Sequence, residues 1–169
     1  ISVSGVNPNS FLANPAISVC LNINHTFDAD LIIQLKAPDL SYIYLSAGWG
    51  FGANFTGTCF TPTAVTPIGA GFPPFTGDFL PDDAFANLNS TTINGTWSLV
   101  IYDGAGGDIG TLLDWSITFN AENYLTYSWT PTSGLTLPAN DTTYAMPTSS
   151  TNYTFVATDA RGCPGSATS

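Results

Sequence analysis

The chain has 169 residues, enough for one ordinary domain and part of a second, and 44% of them are hydrophobic, which is ample for a core. Net charge is −10, with Lys36 and Arg161 the only cationic side chains. Nucleic acid and anionic membrane surfaces both demand clustered Lys and Arg, so neither is a partner. No apolar run approaches the ~20 residues of a membrane helix.

The acids are eleven Asp and the single Glu122. Asp favours turns and caps, where Glu favours helices. With abundant Thr, Gly and Pro and 13% aromatics, the composition predicts an all-β, extracellular protein. Cys20, Cys59 and Cys163 form no C-x-x-C pair, so zinc and dithiol chemistry lack support. The opening Ile1-Ser2-Val3 reads as the interior of a longer product, so secretion is inferred from composition.

Residues 1 to 16 read as loop, punctuated by Asn-Pro. Residues 17 to 27 alternate, with Val19, Leu21, Ile23, His25 and Phe27 on one face: a half-buried strand. Asp28-Ala29-Asp30 turns the chain, and Leu31, Ile33 and Leu35 continue inward on a second strand. After a Pro38-Asp39 turn, Ile43 and Leu45 mark a third. Residues 47 to 80 are irregular but rich in aromatics, which predicts loops tied down by their own side chains. Short strands near 58 to 60 and 63 to 66 and one helical turn within 82 to 88 are candidates. Residues 95 to 119 carry two more alternating strands around a Gly-rich loop with Asp103 and Asp108. Trp97, Leu99 and Ile101 share one inward face, and Leu113, Trp115, Ile117 and Phe119 the other. After a linker at 120 to 123, two further alternating stretches follow, with Tyr127 and Trp129, then Tyr153, Phe155 and Ala157, each on one face.

Two motifs carry a family resemblance. Gly95-Thr96-Trp97-x-Leu99-x-Ile101-x-Asp103, a Gly/Asp loop, then Gly110-Thr111-Leu112-x-x-Trp115-x-Ile117, resembles the closing strands of the P domain (Homo B domain). That domain follows the subtilisin-like catalytic domain of proprotein convertases and of many secreted bacterial proteases. About seventy residues upstream, His25-Thr26-x-x-x-Asp30-Leu31 is similar to the family's His-Thr-x-x-x-Asp-Leu. The resemblance covers roughly residues 1 to 120. Leu40 stands where the family usually has Gly, and Asp28-Ala29-Asp30-Leu31 replaces the convertase Arg-Gly-Asp-Leu. Residues 121 to 169 resemble part of a polycystic-kidney-disease-like (Ig-like) repeat. An incomplete sandwich of that kind has a thin core, so this half is expected to be the less stable.

Catalysis within the chain finds no support. His25 is the one histidine and falls on the inward side of a strand, and no Gly-x-Ser-x-Gly elbow occurs. Eleven aspartates always offer some pair, and no spacing singles one out for glycoside hydrolysis. Calcium is the sharper expectation. Ca²⁺ takes six to eight oxygens, and Asp in Gly-rich loops supplies carboxylates and carbonyls. Asp28 with Asp30, and Asp103 with Asp108, form the two leading clusters, with Asp39 and Asp78 as further candidates. The same residues also serve as turn caps. The resemblance adds weight to calcium, since bacterial P domains often carry it. Cys20 and Cys59 are candidates for a disulfide closing a loop of about forty residues, provided their Cα atoms come within reach. Tyr42, Tyr44, Trp49 and Phe51 are candidate aromatic platforms for sugar rings.

These readings predict a jelly-roll-like antiparallel β-sandwich over residues 1–120 and a partial Ig-like β module over 121–169. The expected role is a non-catalytic, secreted accessory domain that docks on a subtilisin-like catalytic domain of its parent chain and binds structural calcium. The competing reading is a module binding polysaccharide or another protein.

Overall fold

The computed structural model describes residues 1–6, 9, 11, 17–88, 91–119, 125–159 and 164–168. The expected linker at 120–123, Arg161 and Cys163 lie outside them.

The fold is all-β. Two sheets face each other across one core. The first contains β2 (Ile17–His25), β5 (Phe55–Phe60), β6 (Phe75–Phe79) and β9 (Gly110–Phe119) in the order β6-β5-β2-β9. The second contains β3 (Leu31–Lys36), β4 (Tyr42–Ala47) and β8 (Ser98–Asp103) in the order β4-β3-β8. A short ribbon of β1 (Ser2–Val3) with β7 (Gly95–Thr96) closes one end. Val19, Leu21 and Ile23 of one sheet and Leu31, Ile33, Leu35, Ile43 and Leu45 of the other are almost fully buried in one cluster. The period-two pattern read from sequence is thus the pleat that fills this core.

Trp97 anchors the core between β7 and β8. It is fully buried, its Nε1–H donates to the Ile93 carbonyl at 2.8 Å, and Phe11 meets it edge-on. Strand β9 departs from the predicted alternation. Asn22 faces Asp114 but Ile23 faces Leu112, so Leu113 is the extra residue of a β-bulge. Leu113 is accordingly 57% exposed, and Leu112 takes the inward phase beside Ile23. Trp115, Ile117 and Phe119 pack against the core as expected.

The irregular stretch contains more strand than its pattern announced. β5 runs from Phe55, and β6 runs parallel to it, the one parallel strand pair among the described residues. Phe55 and Phe75 stack across that pair at 4.8 Å. Residues 63 to 66 form no strand; the chain there only approaches a single bridge from Pro67 to Leu80. The helical turn is a 3-10 turn at Phe85–Leu88, which buries both end residues. Phe51 and Phe72 are 93% and 85% exposed, so not every aromatic in this stretch is tied down.

A separate antiparallel sheet joins β10 (Thr126–Thr130), β11 (Thr154–Thr158) and β12 (Pro164–Thr168). Trp129 and Tyr127 pack on Phe155 at 4.7 and 5.9 Å. Tyr153 is the one buried hydrophobic side chain among the described residues here, so the core is thin.

Candidate functional site

The two sequence motifs meet at one end of the sandwich. β2 ends at His25, and β9 begins at Gly110 directly across from it. A Cβ on Gly110 would collide with the His25 ring and with the Asn24 carbonyl, so only glycine lets the strands close here. Thr26 Oγ donates to Asp108 Oδ1 at 2.8 Å, and Gly104 N–H donates to the Asp30 carbonyl at 2.8 Å. The first turn and the Gly/Asp loop are therefore fastened together at both ends.

His25 is the centre of this closure. It is 3% exposed, and its Nε2 lies 3.3 Å from Asp103 Oδ2. Phe27 N–H donates to Nδ1 at 3.1 Å. The Phe27 carbonyl lies 3.0 Å from the same nitrogen, so the Phe27 backbone engages Nδ1 while Nε2 faces Asp103. Among the described residues its ring nitrogens face the Phe27 backbone and the Asp103 carboxylate.

Asp28 lies one turn further on, in the 3-10 turn Asp28–Asp30, and is fully buried. Its Oδ1 accepts from Asn54 N–H at 3.0 Å, while Asn54 Oδ1 accepts from His25 N–H at 3.0 Å. Asn54 adopts φ 78°, a left-handed conformation that asparagine tolerates better than most residues. Asn54 thus braces both motif residues, a role no sequence pattern announced. Asp28 Oδ2 is buried without a hydrogen-bond partner. Burial pushes the Asp28 carboxyl up to about 6, against the pull of the Asn54 amide and of His25.

The six aspartates singled out from sequence do not converge on one point. Asp28, Asp30, Asp103 and Asp108 share this end, but Asp103 is taken by His25 and Asp108 by Thr26. Among the described residues no group of three or more His, Cys, Asp or Glu side chains is placed to hold a metal ion. Asp39 is elsewhere and exposed, accepting from the Ser41 hydroxyl at 2.6 Å and the Ser41 amide at 3.0 Å. The Ser41 hydroxyl, first of all, holds its carboxyl below the usual range. Asp78 is exposed on β6, in register with Cys59.

Two unanticipated acids have a clear structural task. Asp82 and Asp83 run along the free edge of β4. Asp83 accepts from Tyr44 N–H at 2.9 Å, and Asp82 accepts from Ala47 N–H at 2.7 Å and from the Trp49 indole. They occupy a sheet edge that would otherwise offer unpaired amides. Cys20 and Cys59 sit directly opposite each other on β2 and β5, with Cα atoms 4.0 Å apart, and are disulfide-bonded.

The structure is thus a two-sheet β-sandwich in which His25 ties the turn after β2 to the loop between β8 and β9. The chain belongs to the proprotein convertase P-domain family, whose model matches residues 15–119. It is 30% identical over 119 residues to leupeptin-inactivating enzyme 1 of Streptomyces exfoliatus, covering 70% of this chain and 21% of that protein. It is 31% identical over 106 residues to the transglutaminase-activating metalloprotease of Streptomyces mobaraensis, covering 62% of this chain and 11% of that protein. The chain therefore spans only a small part of the curated relatives it matches. No solved structure matches it. No helix among the described residues is long and apolar enough to cross a membrane.

Proposed function

We propose that this chain is the accessory part of a secreted protease, docking on the catalytic domain of its own polypeptide and supporting that domain's folding and stability. The observation that carries the reading is the P-domain match over residues 15–119, with relatives that include a protease. The resemblance in the motifs favours a subtilisin-like catalytic partner. The metalloprotease relative favours a second reading, in which the same accessory fold serves a metal-dependent protease. The Cys20–Cys59 disulfide supports an oxidising, extracellular location.

The test is deletion of residues 1–119 from the full-length polypeptide, followed by assay of secreted casein-hydrolysing activity and its thermal inactivation half-life. The expected outcome is loss of secreted activity or a shortened half-life. Undiminished yield and half-life would overturn the accessory role. Phenylmethylsulfonyl fluoride and phenanthroline, applied to the intact protein, separate the two readings of the catalytic partner.

Calcium belongs to this proposal at a single place. The donor chemistry fits best at Asp28, whose buried Oδ2 has no partner, whereas Asp39 is exposed, Asp108 is half-buried, and each already has its Oδ1 engaged by a hydroxyl. Asp28, with half-buried Asp30 and the carbonyls of the same turn, is the set that would hold the ion. A bound cation there would offset the burial of the carboxylate and stiffen the turn. A calcium-specific rise in melting temperature over EDTA, absent with magnesium and lost in Asp28→Asn, is the expected result. No shift at saturating calcium refutes the site.

A further inference from the structure

The two outer faces of the sandwich differ in chemistry. The outer face of β2 and β9 is polar, as an exposed antiparallel sheet should be: Ser18, Asn22 and Asn24 beside Thr111, Asp114 and Thr118. Its polar groups also pair with one another, as in Asn22 to Asp114 at 2.8 Å. The outer face of β4-β3-β8 is built otherwise. Reading across the strands, Tyr42, Lys36 and Ser98 form one row, Tyr44, Gln34 and Val100 the next, and Ile32 stands beside Tyr102 in the third. Tyr42 and Tyr102 are 53% and 62% exposed. Tyr42 meets Tyr44 edge-on at 5.8 Å, so the pair forms a braced aromatic margin.

The middle strand of this face carries Gln34 and Lys36 beside Ile32, and its three aromatics all lie on the flanking strands, with Ser98 and Val100 also on β8. Gln34 and Lys36 lie on the central strand β3, while the tyrosines lie on β4 and β8. The core of a protein–protein interface is depleted in lysine, whereas here Lys36 and Gln34 stand on the middle strand. The side chains of Gln34, Lys36, Ser98 and the three tyrosines make no hydrogen bond or ion pair to any described residue. Lys36 is the one cationic side chain among the described residues, in a chain of net charge −10, and even it joins no carboxylate.

We infer that the outer face of β4-β3-β8 binds a neutral polysaccharide. The tyrosine rings at the margins stack on pyranose faces, and Gln34, Lys36 and Ser98 hydrogen-bond sugar hydroxyls between them. Tyr44 and Tyr102 are two strand spacings and one pleat repeat apart, on the order of 12 Å, which accommodates a short run of sugar units. An anionic polymer is disfavoured, because the whole chain repels it and one lysine cannot neutralise it. This property is separate from the role assigned to the P-domain fold and stands or falls without it. It would hold a secreted enzyme against an uncharged glycan surface.

The experiment is depletion of the full 169-residue chain from solution by microcrystalline cellulose and by chitin. Titration calorimetry with cellohexaose, chitohexaose and xylohexaose accompanies it. Binding to at least one of these is expected, weakened about tenfold by Tyr102→Ala and similarly by Tyr42→Ala, and unchanged between low and high salt. Gln34→Ala provides a variant that leaves the rings in place and is expected to weaken binding less. Unchanged melting temperatures establish that the variants are folded. Absence of binding to every probe overturns the inference, as does binding indifferent to both tyrosines or steeply salt-dependent. If the tyrosine variants bind no less glycan but lower the activity or half-life of the full-length protein, the face is a protein interface and the inference fails.

Discussion

Leu40 offers a direct test of the backbone reasoning. It lies in the turn between β3 and β4 with φ 74°, in the left-handed region, and its amide donates to the Ala37 carbonyl at 3.0 Å. A non-glycine residue there is disfavoured by about 1–2 kcal/mol, because Cβ crowds the following carbonyl. Leu40→Gly removes that strain. Against it stands the greater freedom of glycine in the unfolded chain, about 0.5–1 kcal/mol. The Leu40 side chain is 68% exposed, so truncation forfeits little burial. The balance is a stabilisation of about 0.5–1 kcal/mol, or roughly 1–4 °C in melting temperature for a chain of this size. Leu40→Ala is the necessary companion, since it removes the side chain but keeps the Cβ and hence the strain. Calorimetric melts of the three proteins decide the matter. If Leu40→Gly is no more stable than Leu40→Ala, strain at this φ is not a significant term and the account of the turn is wrong.

Three further outcomes follow from the site and its supports. The disulfide closes a sequence separation of 39 residues, so replacing Cys20 and Cys59 together by Ser should cost about 4 kcal/mol in urea unfolding; a loss under ~1 kcal/mol would refute the loop-entropy account. In EDTA, Asp28 should make stability fall as pH rises. Its folded pKa of about 6 exceeds the ordinary 3.8, so its contribution is full below 3.8 and is lost by about pH 6, a loss on the order of 3 kcal/mol. Asp28→Asn should flatten that window in a pH series of urea melts, and an unaltered slope would exclude Asp28 as its source. Gly110→Ala should destabilise by about 1–3 kcal/mol, since a Cβ there would lie 2.7 Å from the Asn24 carbonyl and against the His25 ring. Wild-type stability in that variant would show that β2 and β9 have room to part.

The strands were legible wherever one side of the sheet is buried and the other wet. That holds for β2, β3 and β4, where the buried and half-exposed classes alternate almost residue by residue. It fails at Leu113, because a bulge inserts one residue and flips the phase, and no propensity marks which of two adjacent leucines will be the extra one. It fails again at β6. Phe75-Thr76-Gly77-Asp78-Phe79 is short, Gly-bearing and parallel to β5, so its pairing depends on a long-range crossover that local pattern does not encode.

The candidate site was legible in its parts and not in its assembly. His25, Asp28, Asp103 and Asp108 stand out as chemistry-bearing residues, yet eleven aspartates on a Gly-rich chain give no way to tell a buried one from a turn cap. The structure separates them by solvation. Asp39 satisfies itself within two residues, and Asp108 reaches only a threonine hydroxyl. Asp28 alone is carried inside, because its turn is pinned from both sides: its amide donates to the Gly52 carbonyl at 2.7 Å, and its carboxylate accepts from Asn54. Those partners lie about twenty-five residues away in the stretch that has no period at all. A loop without secondary-structure signal therefore supplies the walls of the site. The regular strands, which the sequence announces plainly, supply the frame that holds His25 opposite Gly110. A buried carboxylate with one oxygen unpartnered is tolerable only where something offsets it, whether a proton, the neighbouring His25 or a cation. A proton and a cation give the wild-type chain different pH and calcium dependences, and Asp28→Asn, with no carboxylate to titrate or to bind a cation, assigns either dependence to this residue.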